Sequence, residues 1–266
     1  MANTILANAL KEFELALDEF TTNLEFVRTA SRLRPRLNDM LNWQMMDVEA
    51  QALATRFLQQ QATEESLLYR GMVVSLAGAF EQFVRRVLRD SVQAMSGAGV
   101  IYANLDQHIK NENIYRTGVA LQTIKEPLDY MNFDYEVLGK NLGTCFSGSG
   151  QAVLNADAFA VFLSITSPKN LVDALKRIGI DLHWDDLGRV QALQKSLEKS
   201  ATRETTKAIQ DFLRGFGQTR NKIAHTGSGG IVVTDSDFQQ LLNFFRAFAR
   251  ALQSVTEAEL AKRLAK

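Results

Sequence analysis

Near the C-terminus, the segment Arg220-Asn221-Lys222-Ile223-Ala224-His225 sets a permanent cation five positions before a histidine. A guanidinium grips phosphate oxygens as a planar fork. An imidazole is the side chain that gains and loses a proton near neutral pH. Those two groups are what cleavage of a phosphodiester without a metal requires, with histidine moving a proton and arginine stabilising developing charge. Asn221 offers an amide that positions a phosphate oxygen or orients the histidine. Geometry adds a condition. Residues four apart on a helix share a face, whereas residues five apart differ by about 140°. Asn221 and His225 are therefore aligned, and Arg220 must either reach round with its long side chain or sit on an unwound last turn.

Each residue also has a purely structural role open to it. Arg220 can pair with Glu81, the acidic residue best placed on a neighbouring helix, and that pairing is compatible with catalysis. His225 can serve as a helix C-cap that satisfies carbonyls. Asn221 can be an exposed helix residue, and Arg85 and Arg86 a solvated face. Other chemistry-bearing residues are weaker. In His183-Trp184-Asp185-Asp186 the first aspartate is expected to cap a helix. His108 is expected at the surface, and Cys145 has no histidine near it in sequence. There is no P-loop, no H-E-x-x-H and no dinucleotide fingerprint.

The elements that must position the motif are helical. The spacing predicts a helix over 203–225 with Ile209, Phe212, Leu213, Phe216 and Ile223 inward, then the turn Thr226-Gly227-Ser228-Gly229-Gly230. Ile231-Val232-Val233 reads as a short extended piece. Ser236 and Gln239 form a capping-box pattern opening a last helix over 236–263. A helix over 64–95, capped by Thr63, carries the stripe Leu76, Phe80, Phe83, Val84, Val87 and Leu88. Helices are expected over 4–30, ended by Arg34-Pro35-Arg36, and over 37–61. The middle predicts helices near 103–124, stopping before Pro127, a Ser167-capped helix starting at Pro168, and one near 185–198. Residues 145–151, with Gly148 and Gly150, read as a loop.

Three prolines in 266 residues suit long helices, and thirty basic against thirty acidic side chains mean that any nucleic-acid contact is a local patch. Residues 203–266 hold ten Lys and Arg against six Asp and Glu, while residues 1–30 lean acidic. One cysteine excludes an internal disulfide and a cysteine-rich zinc site. With no signal peptide and no stretch of about 20 apolar residues, the expectation is a cytoplasmic protein that does not enter a membrane.

The segment from 203 onward, with 70–95, resembles the HEPN superfamily of helical domains. The residues that carry the resemblance are Arg220, His225 after four intervening residues, the polar Asn221, the Ala224-His225 ending before a glycine turn, and Leu76-Ala77-Gly78-Ala79-Phe80-Glu81-Gln82-Phe83-Val84-Arg85-Arg86. The bacterial members tied to toxin and phage-defence loci are the most similar. The resemblance implies an all-α, HEPN-like helical bundle over 63–266, with an N-terminal helical extension at 1–62 and a helical insertion at about 100–200. It also implies a metal-independent endoribonuclease working as a homodimer, two motifs lining one cleft, leaving a 2′,3′-cyclic phosphate. Arg220, Asn221 and His225 would be catalytic and Glu81 supporting, while Arg85, Arg86 and Lys222 would contact RNA. No metal or other cofactor is implied, and an antitoxin or defence-system protein would restrain the activity. The rival reading is a non-catalytic helical module that dimerises or binds a nucleotide or partner protein, with the helices of 4–61 as its working surface.

Overall fold

The computed structural model describes residues 5–43, 45–59, 65–97, 101–126, 133–147, 150–151, 153–165, 167–226 and 230–264. Among these every regular element is helical. The α-helices are α1 (Ala7–Asn42), α2 (Val48–Gln59), α3 (Glu65–Gly97), α4 (Gln107–Gln122), α5 (Tyr135–Ser147), α6 (Pro168–Lys176), α7 (Trp184–Gly188), α8 (Gln191–Ser196), α9 (Thr202–Thr226) and α10 (Asp235–Leu264). Tyr102–Asn104 and Ala156–Ala160 are 3-10 turns. The expected all-α class is what the chain adopts. The expected Thr63 cap, Pro127, Gly148 and the turn residues 227–229 lie outside the described residues.

Four long helices, α1, α3, α9 and α10, make the bundle that carries the motif. Their apolar stripes meet as phenylalanines. The Phe80 ring on α3 lies 4.9 Å from Phe245 and 5.9 Å from Phe248 on α10, and 6.0 Å from Phe13 on α1. On α9, Phe212 stacks on Phe244 at 4.0 Å and Phe216 meets Phe245 edge-on at 4.7 Å. Rings at these separations gain both burial and quadrupole attraction. The α1 residues Phe13, Leu17, Leu24 and Val27 share one core with α3, α9 and α10, and so do Leu171, Leu175, Leu187 and Leu193 of α6 to α8. A smaller cluster of Ala120, Phe133, Leu138, Ala158 and Val161 holds the α4–α5 region.

Ion pairs run along the outside of α1. Glu12 meets Arg86, Glu14 meets Arg250, Asp18 meets Arg246, and Asp235 takes a two-pronged contact from Arg28 at 2.7 and 2.8 Å. The acidic lean of residues 1–30 is thus matched by arginines on α3 and α10. The Arg28 guanidinium, with Tyr69 also donating to Asp235, holds that carboxyl below its ordinary range.

Several local expectations need correcting. Pro35 does not end α1, which runs on to Asn42. The proline sits on an exposed face, where the carbonyl it releases can be hydrated. Beside it α2 folds back, placing Phe57 under the Arg34 guanidinium at 5.8 Å. The helix ends at Asn42 instead, and Asp47 accepts from the Ala50 N–H at 2.8 Å to open α2. Cys145 and Phe146, expected in a loop, form the last turn of α5. Two short helices replace the single one near 185–198. At the end of the first, Gly188 lies so close to α9 that a Cβ would stand 2.7 Å from the Thr202 carbonyl oxygen. Asp185 does not cap a helix. It accepts from Thr206 at 3.0 Å. The capping box of α10 is built two residues early, with the Asp237 N–H donating to Thr234 Oγ1 and the Thr234 N–H to the Asp237 carboxylate. Gln239 accepts from Arg28 instead. Residues 231–233 pair with no strand among the described residues, and the Val233 N–H donates to Ser66 Oγ at 3.3 Å. The expected Ser167 cap on α6 is present, with the Asn170 N–H donating to Ser167 Oγ.

Two predictions follow from this packing. Phe245→Ala should destabilise the fold by about 3–5 kcal/mol, the cost of emptying a large buried aromatic position, read by denaturant melts. Replacing Asp235 with Asn should cost roughly 0.5–1 kcal/mol at neutral pH, in line with a partly exposed pair. The Asp235 carboxyl is held below its ordinary value in the folded chain, so its stabilisation is present above the ordinary carboxylate range and is lost as pH falls through the lowered folded value. The stability gap between wild type and Asp235→Asn should therefore close in acid and stay open from pH 5 upward.

Candidate nucleic-acid cleavage site

The helix α9 carries the motif because its apolar positions recur at 3-4 spacing, putting Ile209, Leu213, Phe216 and Ile223 inward. Arg220 and Asn221 are half-buried at the edge of that stripe, and Lys222, Ala224 and His225 are exposed. The helix stays regular through Thr226, so the last turn does not unwind. Arg220 instead reaches round, and its guanidinium donates to the Asn221 side-chain carbonyl at 3.0 Å. This swings the cation toward the face that Asn221 shares with His225, one turn on. His225 stands in the last turn of α9.

Glu81 of α3 and Arg220 line one narrow crevice of about 10 Å³, together with Ala77, Ile165, Phe216 and Gly217. No ion pair joins the two among the described residues. Glu81 already accepts from Arg85 at 2.8 Å and from the Ile165 N–H at 3.4 Å. The structure thus brings Arg220, Asn221 and His225 to one end of α9, with Glu81 behind the arginine.

The expected RNA-contact residues do not all join them. Arg85 is buried, and its guanidinium donates to the Ala160 and Leu163 carbonyls at 2.6 and 2.7 Å. It clamps the end of the second 3-10 turn and the chain just after it to α3, and does not face solvent. Arg177, the residue that follows α6, holds the same stretch by donating to the Phe159 and Val161 carbonyls. Burial, with Arg116 and Arg85 nearby, pulls the Arg177 guanidinium down to about 10. This two-arginine clamp was missed in sequence, because an arginine beside buried carbonyls looks like any surface arginine. Arg86 is half-exposed and paired with Glu12, away from the motif. Lys222 is exposed on α9 beside Asn221.

The remaining candidates stand apart. His108 is exposed, with its ring against the Lys176 carbonyl. Burial raises the Cys145 thiol above its ordinary value, and the group sits between Asn113 and the Val153 carbonyl, so it is poorly suited to attack. Among the described residues no group of three His, Cys, Asp or Glu side chains gathers as a metal site would need, and no helix is long and apolar enough to cross a membrane.

No curated relative and no solved structure matches the chain. A protein-family model does, the one described as RiboL-PSP-HEPN, over residues 39–258. The matched range takes in α2, residues 100–200 that were expected as an insertion, and the whole of α9 with Arg220 and His225. An all-α bundle built around α3, α9 and α10, matched over most of its length by this model, belongs to the RiboL-PSP-HEPN family.

Proposed function

We propose that this protein is a metal-independent endoribonuclease that works as a homodimer. The observation that carries the reading is the exposed His225 at the end of α9, with Arg220 turned onto Asn221 one turn earlier instead of being spent on Glu81. Membership of a HEPN family supports RNA as the substrate class. In this reading one imidazole takes the proton of a ribose 2′-hydroxyl. The 2′-oxygen attacks the adjacent phosphorus, and the bond to the 5′-oxygen breaks. The leaving oxygen collects a proton from a second imidazole. The products are a 2′,3′-cyclic phosphate and a 5′-hydroxyl. Arg220 holds the phosphate and stabilises its extra charge, and Asn221 fixes the arginine.

A single chain brings one histidine to this end, and His225 of a second copy supplies the other proton-transfer group. Dimerisation is therefore part of the chemistry. Uncontrolled cleavage of cellular RNA harms the cell that makes it, so the activity fits a toxin or phage-defence effector restrained by an antitoxin or another defence protein. The rival, a non-catalytic module that binds a partner or nucleotide, draws on exposed apolar side chains in and between α1 and α2, among them Leu33, Trp43, Met45 and Leu53.

The test is cleavage of total RNA by wild type, His225→Ala and Arg220→Ala. Each substitution should slow cleavage at least about 100-fold with melting curves unchanged. Wild-type activity should persist in a chelator and leave cyclic phosphate ends. Loss of activity in the chelator would rule out this mechanism, and RNA left intact at high protein concentration would favour the rival.

A further inference from the structure

Phe216 and Thr219 of α9 line one groove with Val233 and with Asp237 and Leu241 of α10, so the later turns of α9 lie beside the start of α10. Asp235 at that end meets Arg28 of α1 and Tyr69 of α3, and Val233 meets Ser66. The catalytic motif and the mid-point of α1 thus share one end of the bundle. From Arg28, α1 continues to Asn42, about 20 Å beyond the bundle. This outer part is only partly covered, because α2 folds back on it and buries Ala54 alone.

Residues 28–36 hold four arginines and no acid. Arg28 is spent on Asp235 and Glu25, and Arg34 lies over Phe57. Arg32 and Arg36 are exposed, and no ion pair neutralises either among the described residues. Trp43 follows at 77 % exposure. On a helix Arg32, Arg36 and Trp43 fall within about 40° of one another, with the arginines about 6 Å apart along the axis. Arg28 points this face toward the start of α10, and Arg32 lies near enough to Asp235 to favour its ionised form. The stripe therefore overlooks the space above the motif end.

We infer that Arg32, Arg36 and Trp43 form a binding stripe for single-stranded RNA, holding the strand on the far side of the bundle end from His225. Spaced cations beside an exposed aromatic ring suit a single strand, with guanidiniums on successive phosphates and a base on the indole. Its complementarity is to phosphate. Two copies meeting along this stripe would set arginine against arginine. The inference extends the nuclease reading by naming where substrate is held outside the cleavage motif.

Binding is measured on the full chain carrying His225→Ala, so that cleavage plays no part. The probe is a labelled single-stranded RNA of mixed sequence, about 30 nucleotides long, enough to cover more than one site. Arg32→Gln with Arg36→Gln should weaken binding at least tenfold and lower the slope of log K against log salt by about 1.4. Trp43→Ala should weaken binding about tenfold with the slope unchanged. Melting curves and oligomeric state should match the parent. Unchanged RNA affinity in both variants overturns the stripe, as does a parent that binds no RNA. A changed oligomeric state with intact RNA binding also overturns it, and makes a second copy the occupant. If wild type cleaves nothing while the variants still lose RNA, the nuclease reading fails and the stripe stands.

Discussion

The site depends on one contact chain of aromatic rings. Phe80 on α3 touches Phe245 on α10, and Phe245 touches Phe216 on α9, which stands one turn before Arg220. These rings are close-packed and buried, and cores of this kind do not deform gradually. They fix the height of α9 against its neighbours, and with it the height at which Arg220 and His225 emerge. The ion pairs along α1 add orientation more than energy, since each is partly exposed and exposed pairs contribute little.

Arg85 and Glu81 show how the supporting layer works. Glu81 binds Arg85 and the Ile165 amide, and Arg85 binds the carbonyl that ends the second 3-10 turn and one just after it. A buried charge needs partners of this kind. Because Glu81 is occupied, Arg220 turns to Asn221 and stays at the rim. In the proposed reading, the buried pair thus leaves Arg220 available to an incoming phosphate.

Much of this was legible in the sequence, where one physical pattern dominates. The stripes on α3, α9 and α10 could be read because phenylalanines recur at helical spacing and nothing competes with them. Ser167-Pro168 could be read because its cap is local chemistry. Pro35 misled because helix propensity is a weak prior, and the back-folded α2 could not be foreseen from the residues around the proline. The α10 cap misled because Thr234-x-x-Asp237 and Ser236-x-x-Gln239 are both capping boxes on paper, and the choice was made by Arg28, which lies more than two hundred positions away. Arg85 looked like a surface cation because its carbonyl partners come from a distant segment. At the site itself, the motif and its face relation were readable, while the turn of Arg220 onto Asn221 depended on Glu81 being taken.

The central claim is that two copies of one motif act on a single phosphate. A crystal structure of the dimer with an uncleavable RNA, carrying 2′-deoxy at the scissile position, tests it most directly. The account predicts that the two His225 imidazoles flank one phosphate, one within about 3 Å of the 2′ position and the other within about 3 Å of the 5′-oxygen. Each Arg220 would be turned toward the same group. Two His225 side chains at opposite ends of the dimer, each with no strand between them, would contradict it.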